Sequence, residues 1–323
     1  MSVFDYSLIL IALITNIIIL LNLDLITRKF NLIDSATNKI HKIDTSKFGF
    51  FLFLNINFFL FLFSFFDNFN YEGMYLSFFI FTFLILGFFD DINNLNVLLR
   101  FLVSFFLVFF FYLYNPTIFF ISKNFPYYLN ISLLIIFTLG FIHLVNITDG
   151  LNGLVPSLFI YSCIYYILKG YSDYSNLYQF LAILSLIGML VYIIPNIQGK
   201  CFLGNAGSYL VAIIITILYC QLYIKNILEY SDILLIFIIP LLDGIRVTIK
   251  RIYLKKNPFK GDLSHLHHIV RPNKKNVLIY FSLIYLPSIV NFLFKDHTIY
   301  IGLISIIFYF IFYNFLKKNH KLV

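Results

Sequence analysis

The chain has 323 residues, of which 61% are hydrophobic and 12% are charged, and its formal net charge is +8. Soluble domains carry about 25% charged residues, so this composition excludes an ordinary soluble enzyme and indicates an integral membrane protein. The basic residues are scattered over several loops with no recognition module beside them, which argues against a nucleic-acid partner.

Eleven apolar segments follow one another along the chain, and each approaches the roughly 20 residues that a helix needs to cross a bilayer. We therefore predict an all-α, polytopic integral membrane protein that forms a single transmembrane domain over residues 1–323. Because the number of spans is odd, the two termini lie on opposite sides of the membrane. The predicted spans are 4–24, 48–66, 74–90, 97–114, 127–146, 152–168, 178–195, 207–224, 231–249, 276–294 and 298–316.

The distribution of Lys and Arg orients these spans, because cytoplasmic loops carry an excess of both residues. Nineteen of the 23 basic residues fall in one alternating set of loops and span ends. The N-terminus is therefore predicted outside and the C-terminus in the cytoplasm. The other set of loops holds only Lys123, Lys169, Lys225 and Lys295.

Five polar stretches interrupt the apolar pattern, and the predicted orientation places all of them on the cytoplasmic side. This grouping favours one composite site, since ionisable groups at a membrane face are costly and usually functional. The stretches are NKIHKIDTSKFG at 38–49, DDINN at 90–94, NITDGLNGL at 146–154, IPNIQGKCFLGNAGS at 194–208, and the pair DGIRVTIKRI at 243–252 with GDLSHLHH at 261–268.

Each stretch also has a plainer interpretation. Asp90 and Asp91 could begin a solvated loop, DGLNG is typical of a turn, and GNAGS is typical of a helix start with small residues. HLHH lacks the i, i+4 spacing of a helical zinc pair, and the three cysteines lack CxxC spacing. None of the stretches is therefore specific when it is taken alone.

Together the stretches carry the chemistry of phosphoryl transfer. Carboxylate and Asn oxygens are the ligands that Mg²⁺ prefers, while Lys, Arg and His suit a diphosphate. Both kinds of group at a membrane face indicate transfer between a soluble nucleotide substrate and a lipid phosphate. The chain has no GxxxxGK[ST] motif, so the sequence does not indicate ATP hydrolysis.

The order of the motifs resembles that of the polyprenyl-phosphate N-acetylhexosamine-1-phosphate transferases, glycosyltransferase family 4. These motifs are DD, N-x-x-DG-x-x-GL, FLG-x-x-GS, P-x-x-D and HLHH, between residues 30 and 270. HLHH is similar to the branch that starts O-antigen, enterobacterial common antigen or teichoic acid linkage units.

The resemblance implies a reaction, a cofactor and a location. A sugar-1-phosphate passes from a UDP-N-acetylhexosamine, GlcNAc by default, to undecaprenyl phosphate, and UMP is released. The cofactor is Mg²⁺, with Mn²⁺ as an alternative. The site faces the cytoplasm at the bacterial inner membrane, and a homodimer is left open.

The resemblance also implies a role for each matching residue. Asp90 and Asp91 match the paired aspartates that position or deprotonate the lipid phosphate, and Asp149 is the third catalytic carboxylate. Asn146 and Asn205 match metal-ligand positions. The substrate-binding positions are matched by Arg100 for phosphates, by Gly150, Leu151 and Asn152 for uracil, by Lys42 for the nucleotide pocket, and by His265, His267 and His268 for the sugar or diphosphate.

Some positions depart from the family pattern and leave other functions open. Asn205 stands where the family usually has Asp, which keeps an oxygen ligand but loses a charge. Asn152 stands where bacterial members mostly have Asp. The alternatives are the phospho-MurNAc-pentapeptide transferase of peptidoglycan synthesis, a degenerate paralogue, and a transporter or lipid-binding protein. A transporter is less favoured because the polar groups gather at one face and the sequence shows no internal repeat.

Overall fold

A computed structural model describes residues 2–34, 45–67, 69–114, 126–170, 176–256, 263–270 and 273–319. Helices dominate this part of the chain, because the long Phe-, Ile- and Leu-rich runs can satisfy their backbone groups in a bilayer only as helices. The helices are α1 Val3–Leu21, α2 Leu23–Lys29, α3 Gly49–Phe66, α4 Tyr71–Asn93, α5 Val97–Tyr114, α6 Tyr127–Thr148, α7 Leu154–Lys169, α8 Asn176–Ile197, α9 Gly204–Ile224, α10 Tyr230–Tyr253, α11 Leu266–Val270, α12 Lys274–Leu293 and α13 Thr298–Asn319.

Each of the eleven predicted spans coincides with a helix. Among the described residues, nine helices are long and apolar enough to cross a membrane: α1, α3, α4, α5, α6, α8, α9, α12 and α13. The apolar helix α7 is shorter, and α10 carries Lys250 and Arg251 in its last turn. The chain is therefore a polytopic helical membrane protein, whereas the count of eleven crossings and the orientation of the termini stay predictions.

The helices divide into two compact units, residues 1–227 and 228–323. In the first unit α9 lies at the centre, packed against α3, α4, α6 and α7, and 16 of its 21 residues are buried. In the second unit α10, α12 and α13 pack on one another, and the short helix α11 rests on α12 and α13. The single domain over 1–323 stays a prediction.

Glycines let three helix ends meet in the first unit. A Cβ atom added to Gly87 in α4 would lie 2.3 Å from the Cα atom of Ala206 in α9. A Cβ atom added to Gly49 at the start of α3 would lie 2.0 Å from the Leu203 carbonyl oxygen. Backbones that approach this closely leave no room for a side chain, as is common where membrane helices pack. The polar end of α4 is thereby held against the first turn of α9.

A small three-stranded sheet lies beside these helix ends, and the all-α prediction missed it. It consists of β1 Ile33–Asp34, β2 Thr45–Lys47 and β3 Cys201–Phe202. β2 pairs antiparallel with β1 and parallel with β3, with Lys47 opposite Phe202. The ladder gives loop backbone a hydrogen-bond partner where it is buried, since unpaired buried N–H groups are costly. It also fixes where the Lys47 side chain begins.

Candidate active site

Asp90 lies in the last turn of α4, where a membrane-crossing helix reaches the polar loops. Its Oδ2 accepts a hydrogen bond from the Tyr209 hydroxyl at 2.7 Å and lies 3.1 Å from Arg100 Nη1. Its Oδ1 accepts a hydrogen bond from the backbone N–H of Leu95 at 3.0 Å. The residue is only 1% exposed, so this buried carboxylate is stabilised by three donors, one of them cationic.

Asp91 is bound to the first turn of α9. Its two oxygens accept hydrogen bonds from the backbone N–H groups of Asn205 and Ala206, at 2.9 and 3.0 Å. A carboxylate in this position satisfies helix N–H groups that have no partner within the helix, and the helix dipole favours its negative charge. Lys47 Nζ adds a positive charge 3.3 Å from Oδ1 and donates to the Asp91 carbonyl at 2.8 Å.

The two adjacent aspartates are therefore not an isolated double negative charge. Arg100 pairs with Asp90 and Lys47 pairs with Asp91, so each buried carboxylate has a cation of its own. Removing one partner of a buried pair typically costs about 3–5 kcal/mol, because the other charge stays buried without compensation. The pairing explains how α4 can end in two carboxylates at a membrane edge.

Asp149 follows the last residue of α6 and begins the loop to α7. Burial of its carboxyl group and the negative charge of Asp91 raise the pKa of Asp149 to about 8. The contribution of Asp91 shows that the two carboxyl groups interact electrostatically. A cation near this carboxyl group would lower its pKa and favour the ionised form.

The loop after Asp149 contains Gly150, Leu151 and Asn152, the predicted uracil contacts. Leu151 is buried, and Gly153 has a φ of +83°, a conformation that favours glycine. The Gly153 N–H donates to Asn196 Oδ1 at 2.7 Å.

Asn196, near the end of α8, is buried and anchors this loop. Its Nδ2 donates to the Tyr192 hydroxyl and to the Cys201 carbonyl, both at 2.9 Å. One side chain thereby joins the loop after α6 to the loop that precedes α9.

The two predicted metal ligands lie on different helices that meet near Asp91. Asn146 is in the last turn of α6, and its Oδ1 accepts a hydrogen bond from Ser208 Oγ in α9 at 2.8 Å. Asn205 is in the first turn of α9, where its backbone N–H binds Asp91. Its side-chain amide makes no hydrogen bond to the described residues. Asn205 is therefore the amide with the more available oxygen.

Two predictions cannot be placed with these residues. Lys42, the predicted nucleotide contact, lies outside the described part of the chain. His265, His267 and His268 belong to the second unit and form a cluster of their own there.

That second cluster is built around Asp243 of α10. Its Oδ2 lies 2.9 Å from His265 Nδ1, and its Oδ1 accepts hydrogen bonds from Arg246 Nη2 at 2.7 Å and from the Tyr309 hydroxyl at 3.1 Å. The backbone N–H of Leu266 also donates to the carboxylate. The Asp243 side chain is 4% exposed.

The three histidine rings lie against one another. His265 and His267 stack with centroids 5.4 Å apart, and His267 lies 4.2 Å from His268. Ligand atoms of Asp243, His265 and His267 all lie within 4.8 Å of one another, a spacing that can also hold a metal ion. The sequence spacing of HLHH did not reveal this grouping, because Asp243 is distant along the chain.

Comparison with known proteins finds a family match over the part of the chain that holds the first cluster. Residues 73–223, which include Asp90, Asp91, Arg100 and Asp149, match the model of glycosyl transferase family 4. Over this segment, a little under half of the chain, the protein is similar to glycosyl transferase family 4.

Curated relatives of the family match over part of the chain. An undecaprenyl-phosphate alpha-N-acetylglucosaminyl 1-phosphate transferase of Thermotoga maritima is 28% identical over 135 residues, 42% of this chain and 41% of that protein. A probable undecaprenyl-phosphate N-acetylglucosaminyl 1-phosphate transferase of Bacillus subtilis is 26% identical over 199 residues, 59% of this chain and 55% of that protein. A Yersinia pestis protein with the same name as the Thermotoga one is 29% identical over 136 residues, 39% of this chain and 36% of that protein. The matches thus span 36% to 55% of the relatives' length.

Several residues of the site were not singled out from the sequence. Tyr209 on Asp90, Lys47 on Asp91, and Asn196 behind the Asp149 loop all come from distant segments. The family 4 match begins at residue 73, so it does not cover Lys47. A usable signal was present for Asn196, which stands in the polar stretch 194–208 directly after Pro195, a proline inside α8.

Proposed function

We propose that the chain transfers an N-acetylhexosamine-1-phosphate from a UDP-sugar to undecaprenyl phosphate and releases UMP. The observation that carries this proposal is the cluster of Asp90, Asp91 and Asp149 with Arg100 and Lys47, at the end of a membrane-crossing helix. The names of the family 4 relatives support the same substrates. An oxygen of the lipid phosphate forms a bond to the β-phosphorus of the UDP-sugar, and the bond from that phosphorus to the bridging oxygen of UMP breaks.

Arg100 is the residue best suited to hold phosphate oxygens. Its Nη1 pairs with Asp90, and its Nε is buried without a hydrogen-bond partner among the described residues. The Asp90 carboxylate orients the guanidinium, so the remaining donors are fixed before a substrate arrives. Positioned cations of this kind supply most of the catalysis in phosphoryl transfer.

An apolar groove beside this cluster supports a lipid as the acceptor. The groove has a volume of about 400 Å³ and lies between α4 and α5. Its walls include Ile85, Phe89 and Leu107, and its lining extends to Leu95, whose N–H binds Asp90. An isoprenoid chain in this groove would bring its phosphate toward Asp90 and Arg100.

The oxygen-rich donor set fits a divalent cation such as Mg²⁺, or Mn²⁺ in its place. Asn205 offers an amide oxygen and Asn146 offers a second one. Burial and the negative charge of Asp91 raise the pKa of Asp149, and a nearby cation would favour its ionised form. A bound Mg²⁺ would neutralise charge that develops on the diphosphate. The chain's own part is to hold Asp149 and both amides at adjoining helix ends.

We place the reaction at the cytoplasmic face of a bacterial inner membrane, where UDP-sugars are found. The product would start a lipid-linked surface glycan of the O-antigen, common antigen or teichoic acid type. The sugar is proposed to be GlcNAc, after the names of the relatives.

The test is UMP release from UDP-GlcNAc by the purified chain with undecaprenyl phosphate and Mg²⁺. UMP should appear only with the lipid acceptor, and Asp90→Asn should abolish it. A panel with other UDP-N-acetylhexosamines and UDP-MurNAc-pentapeptide identifies the donor. Release with the pentapeptide donor alone would favour the peptidoglycan reaction, and no release with any donor would contradict a transferase.

A further inference from the structure

Asp243 is the most heavily hydrogen-bonded carboxylate in the second unit's described residues. It accepts hydrogen bonds from the Arg246 guanidinium, the Tyr309 hydroxyl and the Leu266 backbone. A carboxylate with a cation at 2.7 Å and this many donors is held in its ionised form. An ionised carboxylate can only accept hydrogen bonds. The contact at 2.9 Å therefore requires that His265 Nδ1 carries a proton.

Asp243 and Arg246, both in α10, hold the backbone on the two sides of His265. Arg246 Nη2 donates to the Ser264 carbonyl at 2.7 Å, and Asp243 accepts from the Leu266 N–H at 3.1 Å. Arg246 is itself fixed by the Tyr309 hydroxyl at 2.9 Å and by the face of the Tyr313 ring at 4.3 Å. His265 thus has little freedom in either its backbone or its side chain.

We propose that Asp243 is a positioning residue that holds His265 as the Nδ1-protonated tautomer, so that Nε2 is the nitrogen presented to the sugar-phosphate substrate. The role of His265 toward substrate rests on the proposed function. The tautomer follows from the contacts alone. Which ring nitrogen carries the proton is commonly set by the hydrogen bond that the other nitrogen makes.

A metal ion shared by Asp243, His265 and His267 fits the contacts less well, although their ligand atoms lie within 4.8 Å. Asp243 already has Arg246 as its cation, and a metal ion would bring a second cation to the same carboxylate. It would also replace the proton between Asp243 and His265. A proton between Asp243 Oδ2 and His265 Nδ1 already accounts for their separation of 2.9 Å.

The experiment uses the full chain in nanodiscs with ¹⁵N-labelled histidine. The chain has seven histidines, and His265→Gln identifies the His265 signals. The wild type should show His265 protonated at Nδ1, and a chelator should not change the spectrum. Asp243→Asn places an amide N–H opposite Nδ1, so the proton should move to Nε2. Asp232→Asn is the matched control, because Asp232 is also a buried aspartate of α10 but is bound to Asn291.

The turnover number then distinguishes a positioning role of Asp243 from a purely structural one. In Asp243→Asn the turnover number should fall about tenfold or more, a loss typical of residues that orient an active-site histidine. Asp232→Asn should keep activity within about threefold of the wild type, since the contacts of His265 are unchanged. Wild-type His265 protonated at Nε2 alone, or a spectrum that responds to the chelator, would overturn the tautomer assignment.

Two further outcomes are distinguishable. A tautomer switch in Asp243→Asn with wild-type turnover would overturn the positioning role. A wild type that releases no UMP from any UDP-sugar would end the proposed function and with it the role of His265 toward a sugar phosphate. The spectrum would still decide the tautomer in that case.

Discussion

At the residue scale, the Arg100 guanidinium has two roles: it neutralises Asp90, and it keeps hydrogen-bond donors for a phosphate. Arg100→Ala should reduce turnover by about 10²-fold or more, as the loss of one preorganised donor to a transition state commonly does. Arg100→Lys keeps the charge and should retain part of the activity. Arg28→Ala, at an exposed position of α2, is the control and should behave as wild type. UMP release at saturating substrate measures all four proteins, and full activity of Arg100→Ala would remove Arg100 from the site.

Also at the residue scale, the pKa of Asp149 predicts how the activity depends on pH. Its pKa of about 8 means that the carboxyl group is mostly protonated at pH 7 and ionises as the pH rises. If the ionised form is the catalytic one, kcat/KM should increase up to about tenfold per pH unit below pH 8 and level off above it. More Mg²⁺ should shift the midpoint to lower pH, because a nearby cation favours the carboxylate. Asp149→Asn should be nearly inactive, and its residual activity should not depend on pH. A wild-type kcat/KM that stays constant from pH 6 to 9 would contradict this role of Asp149.

At the scale of elements, the contact between α4 and α9 builds the site. Gly87→Ala adds a Cβ atom 2.3 Å from the Ala206 Cα atom, so the two helices must separate. We expect a loss of about 1–3 kcal/mol of stability from overpacking, together with reduced activity as Asp91 moves from the α9 N–H groups. Gly140→Ala in α6 is the control, because a Cβ atom there meets nothing within 4 Å. Heating in detergent followed by size-exclusion chromatography compares the folded fraction of the two variants. Equal folded fractions would show that the contact between α4 and α9 accommodates the added Cβ atom.

At the scale of the whole molecule, the distribution of basic residues predicts which face of the membrane carries the site. Residues 250–275 contain eight Lys and Arg residues and are predicted to be cytoplasmic. In a chain without its native cysteines, Lys260→Cys should resist an impermeant thiol reagent on intact cells, whereas Lys225→Cys, at a predicted outer loop, should react. The opposite pattern would invert the orientation and the location of the chemistry.

The sequence by itself determined the helices and predicted the family. Apolar runs of nearly 20 residues have one way to satisfy their backbone in lipid, so all eleven predicted segments are helical. The motif order around Asp90, Asp91 and Asp149 was enough to predict the family that the match over residues 73–223 supports. Both signals are local or ordered along the chain, and neither needs the fold.

Only the tertiary structure decided which charges meet. Lys47 reaches Asp91 from 44 residues away and Tyr209 reaches Asp90 from 119, and nothing local marks Lys47 among 23 basic residues. The three short strands escaped prediction because β1 and β3 have two residues each and take their stability from pairing across the chain. The contact of Asp243 with His265 arises in the same way, since α10 and the histidine loop have no shared pattern. Hydropathy fixes where the chain enters the membrane, whereas non-local packing fixes which polar side chain faces which.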